Sequence, residues 1–259
     1  MPFGTNKAQR AIIWDLGNTL IEPNFFKVLQ LYLKMINSLG IKIFALSIYE
    51  YYQNPLDIQQ IFHNSLKMPQ SCLYEPMKSF LTNKGEMQEL HKQTLACLDK
   101  SSEINDYQKI LLKNTVNLLF NPKELAWSMS VIKPGLKLLK ACYEKEDKQG
   151  NRLNDLFILS NWDLESFKCL YQSRKTKELF DCIKKENLFI SGRTGYLKPF
   201  KNAYENLLNK SNLNPRNCIF IDDEIANIET AKELGMNAIQ IMPGKYNLLA
   251  KELKLLEVI

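Results

Sequence analysis

The sequence has little of what a zinc-binding domain needs. It contains only two histidines, His63 and His91, and its six cysteines are scattered without a single Cys-x-x-Cys pair. Structural zinc sites require such ligands in tight clusters. We therefore predict no zinc site in this chain.

Long hydrophobic runs are also lacking. The richest apolar stretch, residues 25–52, is interrupted by Lys27, Lys34, Lys42 and Glu50 before it reaches the roughly 20 residues that span a bilayer. The amino terminus, Met-Pro-Phe-Gly-Thr-Asn-Lys, does not have the apolar core of a secretory signal. These absences predict a cytoplasmic protein with no membrane partner.

Charge of one sign is not concentrated in any tract. The net charge of +6 comes from 34 Lys and Arg against 28 Asp and Glu, spread along 259 residues. A solvated lysine-rich surface is favoured over a nucleic-acid interface by this distribution. We predict no specific nucleic-acid partner, and the sequence offers no indication of an oligomeric state.

Four short apolar runs, each followed by polar residues, alternate with helical patterns. The runs are 11–14, 156–159, 218–221 and 237–241, and the helical patterns are 135–144, 203–209 and 225–234. Strands that alternate with helices predict a doubly wound parallel α/β sheet covered on both faces. In such sheets the ligand site lies beyond the carboxyl ends of the strands, which is where these polar residues collect.

Residues 24–128 have a different texture, with long amphipathic patterns and few convincing strands. Prolines at positions 55, 69 and 76 divide the region into several segments. We predict a helical domain over 24–128, inserted into a core domain formed by 1–23 and 129–259.

Cleavage of a phosphate ester requires a nucleophile, a cation and hydrogen-bond donors around the transferring group. Asp15 follows the first apolar run directly, so its carboxylate is the candidate nucleophile. The turn that begins at Leu16 offers backbone N–H groups to phosphate oxygens. Taken alone, however, an Asp at this position is also typical of a residue that caps a turn.

The other strand ends carry complementary groups. Asp222 and Asp223, with Asn227 nearby, form an acidic cluster that a hard divalent cation would neutralise, although an acidic first turn of a helix explains them equally well. Ser160 and Asn161 would donate to a phosphate through a hydroxyl and a backbone N–H, but a Ser-Asn pair is also common in turns.

Lys198, in the segment Gly-Tyr-Leu-Lys-Pro, would supply the fixed positive charge that holds a phosphate beside Asp15. A single lysine before a proline is ordinarily a solvated surface residue. Its place among the other strand-end groups is what makes it a candidate.

Taken in order, four segments resemble the signature motifs of the haloacid dehalogenase-like superfamily. They are the apolar run with Asp15-Leu-Gly-Asn-Thr, Ile-Leu-Ser160-Asn161, Ser-Gly-Arg-Thr-Gly-Tyr-Leu-Lys198-Pro, and Ile-Phe-Ile-Asp222-Asp223 through Asn227. The resemblance covers residues 10–22 and 130–245. It implies a Rossmann-like core and an aspartyl-phosphate formed on Asp15 and later hydrolysed.

The same resemblance implies the remaining roles. Mg²⁺ would be bound by the Asp15 and Asp223 carboxylates and the Gly17 carbonyl, with support from Asp222 and Asn227. The catalytic residues would then be Asp15, Ser160 and Lys198, and the phosphate would contact Leu16, Ser160, Asn161 and Lys198. The helical insert would be a cap that closes over the site and selects a small phosphorylated substrate.

One position departs from the family pattern. Phosphatases of this superfamily usually carry a second Asp two residues after the nucleophile as general acid and base, but this chain has Gly17. The sequence therefore predicts a phosphatase that Gly17 leaves either slow or inactive. It leaves open a catalytically impaired module that binds phosphate or protein, and a 2-haloacid dehalogenase, which lacks the second Asp as well. The Asp222-Asp223 pair argues against a dehalogenase, because it would repel a carboxylate substrate.

Overall fold

The structure is a computed structural model that describes residues 10–35, 73–102, 104, 106–242 and 244–259. Strands and helices are numbered here in chain order within those residues. The strands are β1 (Arg10–Trp14), β2 (Ile21–Pro23), β3 (Met129–Val131), β4 (Asn154–Ser160), β5 (Leu188–Ile190), β6 (Cys218–Asp222) and β7 (Asn237–Gln240). The helices are α1 (Phe25–Met35), α2 (Tyr74–Leu81), α3 (Met87–Lys100), α4 (Asp106–Leu119), α5 (Pro122–Ser128), α6 (Lys133–Tyr143), α7 (Leu164–Tyr171), α8 (Lys177–Phe180), α9 (Ser191–Thr194), α10 (Lys201–Lys210), α11 (Ile225–Glu233) and α12 (Tyr246–Leu255).

The chain divides into two compact units. The first comprises Met1–Glu22, Ser130–Trp162 and Tyr171–Ile259, and the second comprises Pro23–Met129 and Asp163–Leu170. Most of α7 thus belongs to the second unit, although the predicted boundaries placed that segment in the core domain.

A five-stranded sheet forms the centre of the first unit, in the order β5-β4-β1-β6-β7. Every neighbouring pair of strands is parallel, which confirms the predicted α/β class. The chain builds outward from β1 on one side through β4 and on the other through β6. This reversal of strand order next to β1 is the kind of position where ligands bind in open parallel sheets.

Alternating side chains bury both faces of β1. Ala11 and Ile13 belong to a core cluster with Tyr204 and Leu207 of α10 and with Phe220 of β6. Ile12 and Trp14 point to the opposite face, since successive strand residues alternate, and they are also fully buried. A strand covered on both faces is apolar throughout, which explains the unbroken run Ala-Ile-Ile-Trp.

In its described part the second unit consists mainly of helices. Leu90, Leu98, Leu112 and Val116 of α3 and α4 pack with Phe80 of α2 in one apolar cluster. Helix α5 begins with Pro122 at its first turn, and the side chain of Asn121 caps it by accepting a hydrogen bond from the backbone N–H of Glu124 at 3.3 Å. Both features suit a helix amino terminus, because the proline needs no N–H partner there and the cap satisfies an N–H that has no partner within the helix.

The apolar runs predict β1, β4, β6 and β7 to within a residue or two of their observed bounds. Strand β5 is not predicted, because its three residues, Leu-Phe-Ile, are too few to show a pattern. Among the described residues, no helix combines the length and the apolar character that crossing a membrane requires.

Candidate active site

The register of the sheet brings three strand ends together. Trp14 of β1 pairs with Ile158 of β4 on one side and with Ile221 of β6 on the other. Asp15, one residue beyond Trp14, therefore lies at the level where β6 ends in Asp222 and β4 approaches Ser160. The backbone N–H of Asp15 donates to the carbonyl of Ile221 at 2.9 Å, which fixes the start of the following turn.

Lys198 lies between two carboxylates at this edge. Its Nζ is 2.7 Å from Oδ1 of Asp15 and 2.6 Å from Oδ2 of Asp222. Only 3% of the Lys198 side chain is exposed, so solvent screens these charges little. The lysine predicted as a phosphate ligand is thus a buried ion-pair centre, and not a surface residue.

Asn161 holds the main chain of Lys198 in place. Its side-chain amide donates to the Lys198 carbonyl at 2.8 Å, and its side-chain oxygen accepts from the Lys198 N–H at 2.8 Å. The peptide bond from Lys198 to Pro199 is cis. The side chain of Asn161 is thus engaged with the main chain of Lys198, and the backbone N–H of Asn161 is left for a phosphate.

Asp222 is fully buried and has a complete set of partners. Asn227 donates to both of its carboxylate oxygens at 3.0 Å, and the backbone N–H of Glu224 donates to Oδ1 at 2.8 Å. Asn227 in turn is held by Tyr204, whose hydroxyl donates to the Asn227 carbonyl at 3.0 Å. Asp222 therefore contacts Lys198 and is itself held by Asn227.

Three carboxylates form a group suited to a metal ion. Oxygen atoms of Asp15, Asp222 and Asp223 lie within 4.8 Å of one another. The Gly17 carbonyl accepts no hydrogen bond from a described residue, so it can act as a ligand. Hard oxygen ligands of this type suit Mg²⁺, and the residues present fit such an ion.

Burial is the main cause of the raised pKa values in this group of carboxylates. Burial, together with Asp222 and Asp223, outweighs Lys198 and raises the pKa of Asp15 to about 7. Burial and the neighbouring Asp222 raise the pKa of Asp223 to about 6. Burial would lower the pKa of Lys198, but Asp15 and Asp222 outweigh it and raise that pKa, so the lysine is positively charged. A divalent cation would stabilise the ionised forms of Asp15 and Asp223 and so lower both pKa values.

Unused hydrogen-bond donors follow the neighbouring strands β1 and β4 at their carboxyl ends. Among the described residues, none accepts a hydrogen bond from the backbone N–H groups of Leu16, Gly17 and Asn161. The hydroxyl of Ser160, a residue only 3% exposed, also has no described partner. Free N–H groups at a strand end are the usual donors to phosphate oxygens.

Sequence reasoning missed two residues of this site. Asn18 adopts a left-handed backbone with φ of 53° and donates from its side chain to Oδ2 of Asp223 at 3.2 Å. Its signal was present, since asparagine tolerates this conformation better than most residues. Tyr204 showed no signal, because its contact with Asn227 depends on the packing of α10 against α11.

Comparisons with known proteins identify the family of this chain. The model of the haloacid dehalogenase-like hydrolase family matches residues 9–235. Enolase-phosphatase E1 of Shewanella halifaxensis is 32% identical over 95 residues, which are 37% of this chain and 39% of that protein. The chain therefore matches well under half the length of this curated relative.

Two solved structures share the fold at low sequence identity. A predicted HAD-like family hydrolase from Porphyromonas gingivalis has a TM-score of 0.55 at 18% identity, over 96% of this chain and 98% of that one. The HAD family enzyme BT-2542 of Bacteroides thetaiotaomicron, in complex with magnesium and inorganic phosphate, has a TM-score of 0.52 at 16% identity, over 92% of this chain and 96% of that one. With a family match over most of its length and the matching sheet, this chain belongs to the haloacid dehalogenase-like hydrolases.

Proposed function

We propose that the protein is a magnesium-dependent phosphatase of small phosphorylated metabolites that uses Asp15 as its nucleophile. The observation that carries this proposal is the pairing of Asp15 with buried Lys198 beside the acidic cluster and the unused N–H donors. The name of the enolase-phosphatase relative and the magnesium and phosphate of the BT-2542 complex support it.

The first step is attack on phosphorus by Asp15. Oδ1 is held by Lys198, whereas Oδ2 accepts no hydrogen bond from a described residue. Oδ2 forms the new bond to phosphorus as the ester P–O bond breaks, and the alcohol oxygen leaves with the bonding electrons. Lys198, Ser160 and the free N–H groups stabilise the charge on the phosphoryl oxygens during transfer.

In the second step, water attacks the phosphorus of the aspartyl-phosphate and releases inorganic phosphate and the free Asp15 carboxylate. Gly17 offers no side chain to protonate the leaving alcohol or to take a proton from this water. General acid–base assistance contributes about 10² to 10⁴ in rate. We therefore expect slow turnover and an accumulated phosphoenzyme.

Mg²⁺ would be held by the carboxylates of Asp15 and Asp223 and by the Gly17 carbonyl. When bound, it would offset the repulsion between the Asp15 carboxylate and an anionic phosphate. Asp222 supports the site through Lys198 and Asn227. As part of the same proposal, the helical region over 24–128 selects the substrate.

Metal removal tests this function. We expect hydrolysis of phosphate esters to stop in excess EDTA and to return when Mg²⁺ is added, because the buried carboxylates repel an anionic substrate without a cation. Steady-state rates on a panel of phosphorylated metabolites, with and without Mg²⁺, are the measurement.

A variant tests whether Asp223 is one of the metal ligands. Asp223→Asn removes one ionised ligand at nearly constant volume and should raise the Mg²⁺ concentration for half-maximal activity by about 10-fold or more. Asp155→Asn, far from the cluster on β4, is the matched control and should behave as the wild type does. Full activity in excess EDTA would contradict the proposal.

A 2-haloacid dehalogenase is the second candidate, and Gly17 favours it. The acidic pair is weaker evidence against it than the sequence indicates, because Asp222 forms an ion pair with Lys198 and accepts a hydrogen bond from Asn227. Asp223 remains without a salt bridge to a described cation, and its charge still disfavours a carboxylate substrate. Chloride release from a 2-haloacid in EDTA would select the dehalogenase.

The room beside Gly17 makes the missing acid testable. A Cβ built at Gly17 meets only Oδ2 of Asp15, at 3.8 Å, and the residue does not have a left-handed backbone. Gly17→Asp should therefore be accommodated. We expect it to raise the turnover of alkyl phosphates by about 10-fold or more, because their leaving groups need a proton.

Gly17→Asn is the matched control, since it adds similar volume without an acid. On p-nitrophenyl phosphate, whose leaving group is stable as an anion, the two variants should differ much less. Equal rates of both variants on alkyl phosphates would show that an acid at this position does not assist the reaction.

A further inference from the structure

Tyr246, the first residue of α12, contacts the turn that follows the nucleophile. Its hydroxyl donates to the Thr19 carbonyl at 2.9 Å and lies 3.4 Å from the Asn18 carbonyl. Only 7% of Tyr246 is exposed. The metal and phosphate roles proposed above do not use this residue, although it reaches the segment that carries them.

Helix α6 approaches the same turn. A Cβ at Gly135 would lie 2.7 Å from the Thr19 carbonyl oxygen and 3.1 Å from a ring carbon of Tyr246. Such a distance to a backbone atom excludes any larger residue without a shift of the turn. Tyr246 and Gly135 therefore meet at the Thr19 carbonyl and define where the turn lies.

The other side of the turn faces the acidic cluster. Asn18, whose carbonyl is near the Tyr246 hydroxyl, donates through its side chain to Asp223 at 3.2 Å. The residue before it, Gly17, carries the carbonyl that we assign to the metal. The turn thus links Tyr246 to two proposed metal ligands, Gly17 and Asp223, through Asn18.

We propose that Tyr246 is a positioning residue for the metal site, acting through the turn Gly17–Thr19. This inference rests on the proposed function. The tyrosine hydroxyl fixes the carbonyls of Asn18 and Thr19, and the turn then sets the direction of the Gly17 carbonyl and the reach of the Asn18 amide to Asp223. Partners outside the ligand sphere commonly tune metal affinity in this way.

The hydroxyl keeps its proton in this role. Burial, followed by the nearby charges of Glu22 and Asp223, raises the pKa of Tyr246 to about 12. The donor to the two carbonyls is therefore present throughout the neutral pH range.

Calorimetric titration of the full chain with Mg²⁺ tests the proposal without relying on activity. Tyr246→Phe keeps the ring and removes only the hydroxyl, and we expect it to weaken Mg²⁺ binding by about 10-fold. Tyr143→Phe is the control for the same chemical change, because the Tyr143 ring packs on Arg152 at 3.7 Å away from the cluster. It should bind Mg²⁺ as the wild type does.

A second variant examines the connection to Asp223. Asn18→Gly removes the amide donor and readily adopts the left-handed backbone, and Asn18 is exposed, so folding is not at risk. It should weaken Mg²⁺ binding by a similar factor, and combining it with Tyr246→Phe should add little. This second variant decides the question if Tyr246→Phe does not fold.

The possible results separate the two claims. Unchanged Mg²⁺ affinity in Tyr246→Phe, even with a lowered melting temperature, would show a structural role only and overturn this inference while the proposed function stands. Wild-type affinity in Asn18→Gly would overturn it as well. Absence of Mg²⁺ binding by the wild type would overturn both the inference and the metal dependence of the proposed function.

Discussion

Replacing Asp15 with asparagine should lower phosphatase turnover by about 10⁴-fold or more, because the amide cannot attack phosphorus and the other carboxylate paired with Lys198, that of Asp222, is fully buried and held by Asn227. The substitution keeps the side-chain volume. Lys198 also keeps its ion pair with Asp222 at 2.6 Å, so the fold should persist. Turnover with Mg²⁺ and thermal unfolding by circular dichroism measure the two effects.

The same experiment identifies the covalent intermediate. After brief exposure to a good substrate, mass spectrometry of the wild type should show an added phosphoryl group on the peptide that contains Asp15, and the Asp15→Asn variant should show none. Asp181→Asn, an exposed surface site, is the matched control and should retain both activity and the adduct. If Asp15→Asn turned over at the wild-type rate, the nucleophile assignment and the mechanism built on it would be wrong.

Much of this site could be predicted from the order of residues along the chain. An apolar run that ends in polar residues identifies a buried strand and its carboxyl end, and Asp15, Ser160 and Asp222 each mark such an end. Parallel strands align these ends at one edge, so their proximity follows from topology. The prediction of a parallel sheet with flanking helices is confirmed, because apolar runs that alternate with helical patterns reflect this topology.

The individual partnerships could not be predicted in this way. Asp222 contacts Lys198 because the pairing of Trp14 with Ile221 places Asp222 beside Asp15. The register between two strands cannot be read from the sequence of one strand. Asn161 looks like a turn residue until its side chain is seen to bridge both main-chain groups of Lys198. These contacts join residues 37 positions apart and depend on how the loops pack.

The contact between Tyr246 and the turn that follows Asp15 could not be predicted from the sequence for a different reason. Tyr246 lies 227 positions from Thr19, and a tyrosine at the start of a helix indicates only an amphipathic residue. Gly135 gives a weak signal, since a glycine inside a helical pattern suggests a close approach of backbone segments. What it approaches becomes clear only when α6, α12 and the turn are placed together.

Replacing Lys198 with methionine should have the largest effect on stability. Lys198 is the cation between Asp15 and Asp222, and Asp222 has no exposed surface. Removing one partner of a buried ion pair costs about 3–5 kcal/mol, because the remaining charge loses its compensation. Methionine has nearly the length of lysine, so lost packing contributes little. Urea unfolding in the absence of Mg²⁺ measures the free energy of unfolding.

The control is Lys201→Met, which removes a lysine of the same size from an exposed pair with Glu233 at 3.0 Å. Exposed pairs contribute about 0–1 kcal/mol, so the two variants should differ by several-fold in lost stability.

The double variant Lys198→Met and Asp222→Asn should recover part of the lost stability, since it removes the uncompensated carboxylate as well as the lysine. If Lys198→Met lowered the free energy of unfolding no more than Lys201→Met does, the buried ion pairs would not be important for the stability of this edge of the sheet. Because Lys198 is also the fixed charge proposed to bind phosphate, turnover of the double variant should remain at least about 10²-fold below the wild type even where stability returns.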